Sequence, residues 1–210
     1  MSIVNYEADI PKGICVECYT NSKLLGFGTY LEDTTWTPDG TYTSYDKNGT
    51  VYMKEMYKNG KLNGITKENY KNGKLRFESF YVKDILTKMH NYEKNGTLIG
   101  TKEYSYTPHT VIVLNLYRDD GSKIIYERQV NGKDDGDYFI YYKDGSLKLE
   151  AKNIKGIRVH EKLYSKSGQL EKESTCNPDG TNCTLKIYNK DGQVKKEGPI
   201  KHAIKYKWEF

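Results

Sequence analysis

Apolar and polar residues alternate along this chain in short runs, not at a helical period. Leu114-Asn115-Leu116-Tyr117, Leu147-Lys148-Leu149-Glu150 and Leu185-Lys186-Ile187-Tyr188 show it most clearly. The runs are closed by glycine turns such as Asn59-Gly60, Asn131-Gly132 and Asp144-Gly145. Alternation bounded by Asn-Gly or Asp-Gly is the signature of strands joined in hairpins. These dipeptides favour primed turns, whose positive φ angles suit the twist of the flanking strands. Turns recur about every twelve residues, too close together for parallel crossovers. The pattern predicts an all-β fold: an elongated, open antiparallel meander of repeated β-hairpins, with about fourteen to sixteen strands. One face should carry aliphatic and aromatic residues, the other Lys, Glu and Thr.

The turns fall into two periodic series. The first is an aromatic followed by a turn glycine: Tyr45…Gly49, Tyr70…Gly73, Tyr92…Gly96, Tyr117…Gly121, Tyr142…Gly145, Tyr164…Gly168 and Tyr188…Gly192. Its glycines are 23 to 25 residues apart. The second series, Gly60, Asp84, Pro108, Gly132, Gly156 and Gly180, is spaced by 24 throughout. A fixed period of this size marks a repeat architecture. Two residues after the first-series glycine an apolar residue recurs: Val51, Leu75, Leu98, Leu147, Leu170 and Val194. The unit after Gly121 reads as one residue longer, with Ile124 in that role. Five places after the glycine stands a glutamate in several copies: Glu78, Glu150, Glu173 and Glu197.

The array runs over residues 41–198. Residues 1–40 fit it poorly and read as an atypical N-terminal β cap, with a degenerate turn at Trp36-Thr37-Pro38-Asp39-Gly40. Residues 199–210 read as a capping strand. End repeats depart from consensus because they must close an open edge.

The units Tyr142-Lys143-Asp144-Gly145-Ser146-Leu147-Lys148-Leu149-Glu150 and Tyr57-Lys58-Asn59-Gly60-Lys61-Leu62-Asn63-Gly64 resemble the MORN-repeat variant of bacterial proteins. Within it the chain looks like the MORN-variant antitoxin or immunity group. The family's second glycine stands at Gly64, Gly100 and Gly136 and is missing from other copies. The resemblance implies an open hairpin sheet and a binding role without catalysis: an immunity or antitoxin protein that neutralises a cognate toxin by occupying it. The alternative is a cell-envelope or surface scaffold that binds lipid headgroups, glycans or another protein, motivated by the tyrosine-rich strands.

Composition sharpens this picture. Hydrophobic residues make up only 36% of the 210, yet 20 are tyrosines. Disorder calls for few aromatics. A thin fold in which tyrosine supplies contact area while its hydroxyl reaches water fits better. The mean hydropathy is −0.82. No stretch approaches the roughly 20 apolar residues of a membrane helix, and no leader follows Met1, so a cytoplasmic location is expected; export with a leader removed is the alternative. The 33 basic and 28 acidic residues are interleaved. The densest basic stretch, Lys195, Lys196, Lys201, Lys205 and Lys207, reads as a solvated edge rather than a nucleic-acid contact.

No chemistry announces itself. His90, His109, His160 and His202 pair with no Cys or carboxylate at metal-ligand or triad spacing. No phosphate loop, dinucleotide fingerprint or nucleophile elbow is present. No catalytic group, cofactor or metal is expected. Cys15 and Cys18 form a CxxC, but the array separates them from Cys176 and Cys183. The latter flank the turn at Asp179-Gly180 and suit either a hairpin disulfide or two free thiols in a reducing compartment. Asp119, Asp120, Asp134, Asp135 and Asp137 span two turns at opposite ends of a hairpin. Turn chemistry explains them, with a docking patch for a basic partner as the alternative. Tyr141 and Tyr142, adjacent and so on opposite faces, are the aromatic candidates for partner contact.

Overall fold

The computed structural model describes residues 14–18, 24–30 and 37–201, with backbone alone for 14–18. Its contacts divide the chain into two compact units, residues 1–101 and 102–210. In the first lie β1 (Ile14–Cys18), β2 (Leu24–Tyr30), β3 (Pro38–Tyr45), β4 (Val51–Lys58), β5 (Lys61–Leu62), β6 (Gly64–Asn69), β7 (Leu75–Val82) and β8 (Ile85–Tyr92). The unit boundary falls within β9 (Leu98–Ser105). The second unit continues with β10 (Val111–Tyr117), β11 (Lys123–Val130), β12 (Lys133–Tyr141), β13 (Leu147–Ile154), β14 (Ile157–Tyr164), β15 (Leu170–Thr175), β16 (Cys183–Tyr188) and β17 (Val194–Ile200).

The described residues hold no helix. Within each unit, strands that follow one another in the chain pair antiparallel. The protein is therefore the all-β, open sheet of hairpins that the alternation predicts. The seventeen strands of the described residues exceed the expected number because β5 and β6 are one strand broken at Asn63. There the Asn63 N–H donates to the Met56 carbonyl at 2.8 Å.

The two turn series differ in kind. At four turns of the second series both central residues have positive φ: Asn59-Gly60, Lys83-Asp84, Asn131-Gly132 and Lys155-Gly156. These are two-residue primed turns. At the first series only the glycine does. In the turn at 142–146 the Gly145 N–H donates to the Tyr142 carbonyl at 3.1 Å, and the Tyr142 N–H to the Ser146 carbonyl at 2.8 Å. Gly145 has φ +84. This is a three-residue loop with glycine in the left-handed position of a bulge. The expectation of primed turns throughout is thus corrected. Gly180, in the second series by spacing, adopts the three-residue form, with its N–H on the Asn177 carbonyl at 2.8 Å. The turn expected at 36–40 is also corrected in part. Pro38, Asp39 and Gly40 belong to β3, with Pro38 opposite Tyr30, while Trp36 lies outside the described residues.

A second bulge, not foreseen, follows the three-residue turns of the β3–β4, β6–β7, β10–β11, β12–β13, β14–β15 and β16–β17 hairpins. Tyr141 faces Leu147 but Ile140 faces Leu149, leaving Lys148 without a register partner. Leu147 and Leu149 therefore register against neighbouring residues and do not share a face, despite their spacing. The same shift places Lys123 opposite Tyr117, where the other hairpins carry Val51, Leu75, Leu147, Leu170 or Val194. Ile124 is the bulged residue, so the unit after Gly121 is not longer at this point.

Among the described residues, the core lies in the second unit. Ile125, Ile140 and Leu149 stand in one row across β11–β13, with Tyr138 and Ala151 in the next. Leu149 is 2% exposed. Leu116, Ile124 and Leu163 pack around this group.

Candidate interaction surface

The opposite face of the second unit is built from the residues between those rows. Tyr126 faces Phe139 across β11 and β12, their rings 5.6 Å apart, and Tyr141 lies 6.5 Å beyond Phe139. Continuing across the sheet, Phe139 registers with Glu150, then Lys162, Glu173, Lys186 and Glu197. Charge alternates at every strand. Lys162 Nζ is 3.4 Å from Glu150, and Lys186 Nζ is 3.8 Å from Glu197. Strand neighbours sit about 4.8 Å apart, so opposite charges placed directly across support the sheet. The glutamate recurring five places after the turn glycine is the sequence mark of this ladder. In the first unit the same position holds Glu78, which meets Lys67 at 3.2 Å and His90 at 3.2 Å.

Two histidine–carboxylate pairs form that the sequence spacing does not reveal. His90 Nδ1 lies 3.2 Å from Glu78 Oε2, and His160 Nε2 lies 3.0 Å from Glu173 Oε1. Twelve and thirteen residues separate the partners in sequence, a spacing that matters only once the hairpin register is known. Tyr188 completes the second group by donating its hydroxyl to Glu173 Oε2 at 2.8 Å. The His160 hydrogen bond, and then that of Tyr188, hold the Glu173 carboxyl below the ordinary carboxylate range. The Tyr188 hydroxyl is raised in return, chiefly by that bond.

The expected site residues are dispersed. Tyr141 lies on the aromatic strip, its hydroxyl pKa raised by burial and then by Tyr126. Tyr142 opens the turn; its hydroxyl donates to the Tyr164 carbonyl of the next repeat at 2.8 Å. Lys148 Nζ sits 5.7 Å from the centre of its ring. The five aspartates do not converge. Asp119 and Asp120 sit at the turn before β11, while Asp134, Asp135 and Asp137 lie on β12 beside the far half of β11, Asp134 opposite Gln129. Asp120 accepts the Ser122 hydroxyl at 2.6 Å and the Ser122 N–H at 2.9 Å within its own turn, and these lower its pKa, the hydroxyl first. Asp134 accepts from Gln129 at 3.2 Å, and Asp137 meets Lys152 at 2.9 Å.

Cys176 and Cys183 form a disulfide across the 177–182 turn, with Cα atoms 4.0 Å apart. Both are buried, Cys183 to 1% exposure. Below the ladder, Glu161 is 3% exposed and is met by Arg158 at 2.7 Å; burial pushes its carboxyl pKa up while Arg158 opposes the shift. Of the basic stretch, Lys195, Lys196 and Lys201 are exposed, and Lys205 and Lys207 lie outside the described residues, as does His202. The described residues hold no cluster of three metal-ligating side chains and no helix long and apolar enough to cross a membrane.

The MORN repeat variant matches residues 38–59 and 62–83, so the chain carries MORN-variant repeats there. Each matched block covers one hairpin, β3–β4 and then β5 to β7, with a three-residue turn at its centre. No curated protein matches the chain. Among solved structures, the crystal structure of TcdB2-TccC3-Cdc42 is 10% identical over 89% of this chain, at a TM-score of 0.20. The chain spans 13% of that protein's length. A protein of unknown function from Bacteroides fragilis is 15% identical, covering 68% of this chain and 94% of its own, at 0.18. The Photorhabdus luminescens Tc holotoxin pore is 12% identical over 83% of this chain and 13% of its own, at 0.19. At these TM-scores the likenesses carry no argument.

Proposed function

We propose that this is a protein-binding repeat protein that works without catalysis, as an immunity or antitoxin protein neutralising a cognate toxin by binding it. The observation that carries this reading is the MORN-variant array itself. Its hairpins repeat one register, so exposed side chains recur at fixed intervals along an open sheet, and six large hydrophobics of the first unit remain exposed: Leu24, Phe27, Tyr52, Met56, Val82 and Ile85. Apolar residues left in water along a repeat are a reason to look for a protein partner. The net charge of +5 favours a neutral or acidic toxin over a strongly basic one.

The test is co-expression with a toxin-like open reading frame adjacent to the gene. The expected outcome is rescue of growth and a stable complex on size exclusion. A toxic neighbour whose activity is unchanged by co-expression, or turnover of a substrate by the purified protein, would overturn the reading.

A further inference from the structure

In the first unit, residues of three successive three-residue turns and their flanking strands line one open groove of about 580 Å³. Ligand pockets commonly span about 300–1,000 Å³. The turns are stitched together: Asn72 Nδ2 donates to the Lys94 carbonyl at 3.1 Å, and the Tyr70 hydroxyl to the Tyr92 carbonyl at 2.9 Å. The walls are therefore fixed before any ligand arrives.

Tyr52 stands out in this groove. It occupies the bulge position after the turn, where other hairpins carry Arg76, Ile124, Lys148, Glu171 or Lys195. Among these it is the one aromatic, and it is 45% exposed. A bulge re-aims its side chain, which is why bulges cluster beside binding sites.

The charges in the groove are unequally engaged. The Asp46 carboxylate accepts the N–H groups of Asn48 and Thr50 at 2.8 and 2.9 Å. Glu68 is held by Arg76 at 2.8 Å, and the Arg76 guanidinium lies 5.7 Å from the centre of the Tyr70 ring. Lys71 and Lys94 are exposed and make no ion pair among the described residues. The groove thus offers an exposed aromatic ring beside two uncommitted ammonium groups, with Glu68 ion-paired to Arg76 and Asp46 hydrogen-bonded within its own turn.

We propose that this groove receives a short acidic segment of a partner protein, its carboxylates meeting Lys71 and Lys94 and an aromatic or apolar side chain lying on Tyr52. The occupant is a peptide and not an anionic membrane because three cations face two carboxylates here. Lipid surfaces are held by clusters of about four to eight basic residues. The proposal rests on the protein-binding reading above and names the partner's chemistry.

The test uses the full chain and a fluorescein-labelled hexapeptide of alternating Glu and Tyr, read by fluorescence anisotropy at low salt. The expected result is saturable binding that weakens about tenfold in the double variant Lys71→Glu/Lys94→Glu and in Tyr52→Ala, with Tyr52→Phe retaining it. A hexapeptide of alternating Lys and Tyr should not bind. Circular dichroism melts of all variants should match the wild type, since the substituted groups are exposed. Equal affinity in wild type and the double variant overturns the proposal. So does binding to phosphatidylserine vesicles, lost in the double variant, without binding to the acidic peptide. A co-expressed toxin held equally by wild type and double variant sinks the groove alone and leaves the protein-binding reading standing. Peptide binding in a chain that neutralises no neighbour sinks that reading alone.

Discussion

The two units use one hairpin register but place their apolar residues differently. Every buried hydrophobic of the described residues belongs to the second: Ile125, Tyr138, Ile140, Leu149, Ala151, Cys176 and Cys183. The first buries Thr43 and Ser79 instead, and holds six of the eight large hydrophobics exposed among the described residues. The position four places after the turn glycine shows the contrast. In the second unit it is filled by Ile125 and the nearly inaccessible Leu149 in two repeats and by Lys172 and Lys196 in the last two, in the first unit by partly exposed Met53 and Phe77. The backbone pattern follows from turns and strand pairing, which both units share. Packing depends on what the rows contain, and there they part. The second unit has the means to hold itself together, whereas the first leaves apolar surface in water.

The largest test of this contrast is Leu149→Ala. It removes a fully buried side chain and should cost about 2–5 kcal/mol by urea unfolding. Tyr52→Ala, at an exposed position of the first unit, should stay within about 0.5 kcal/mol. Equal losses at the two positions would erase the distinction between the units.

The disulfide comes next. Closing a loop of about eight residues stabilises by about 2–3 kcal/mol on the chain-entropy account. Cys176→Ala/Cys183→Ala should lower stability by that amount, and reductant should do the same to the wild type. The cross-linked peptide should be two hydrogens lighter by mass spectrometry before reduction; complete alkylation without reductant would refute the bridge.

A third test predicts sameness. Gly64 and Gly136 are three repeats apart, one in each unit, and both have φ +121. A Cβ at Gly64 would sit 3.1 Å from Met56 Sδ, and at Gly136 3.0 Å from Arg128 Cδ. Alanine at either should cost about 1–3 kcal/mol. A loss confined to one unit would show that backbone strain, like packing, differs between them.

The smallest effect is acid sensitivity. A carboxyl depressed in the folded state stabilises the protein above its unfolded pKa, and that contribution is lost as pH falls through the folded value. Glu173 is such a group, so wild-type stability should decline below about pH 4.5. Glu173→Gln should flatten the decline in that window. An unchanged slope in chemical denaturation would remove the His160–Glu173–Tyr188 group from the account.

Fold class was legible in the sequence because period-two alternation and turn dipeptides are local signals. The kind of turn was not. Asn-Gly serves the primed turn at Asn59-Gly60 and the three-residue turn at Asn48-Gly49 alike, and only the hydrogen bonds separate them. The recurring bulge was hidden for a related reason. Leu147 and Leu149 look like one face until the register slips by one residue between them. Of the candidate site, the glutamates five places after the glycine were visible as a pattern, but not as half of a charge ladder. The other half, Lys162 and Lys186, becomes its neighbour only through pairing. Tyr52 is unmarked in the sequence because its distinction is positional: it is an ordinary residue type at a place where the other registered hairpins carry none like it.

The turns also set the grain in which such a chain can change length. On one border of the sheet, the N–H of a primed turn reaches back to the preceding hairpin, as Gly60 to Pro38, Asp84 to Leu62 and Gly156 to Asp134, at 2.7 to 2.8 Å. On the other, side chains reach forward, as Tyr70 to Tyr92 and Tyr142 to Tyr164. The borders are not interchangeable. Deleting a single strand and its turn would bring a tyrosine clasp to the border that needs a backbone donor, and both seams would open. Removing a whole 24-residue period rejoins like with like. Evolution, or an engineer, is therefore confined to adding and removing complete periods, and any surface carried on the array grows or shrinks by that same step.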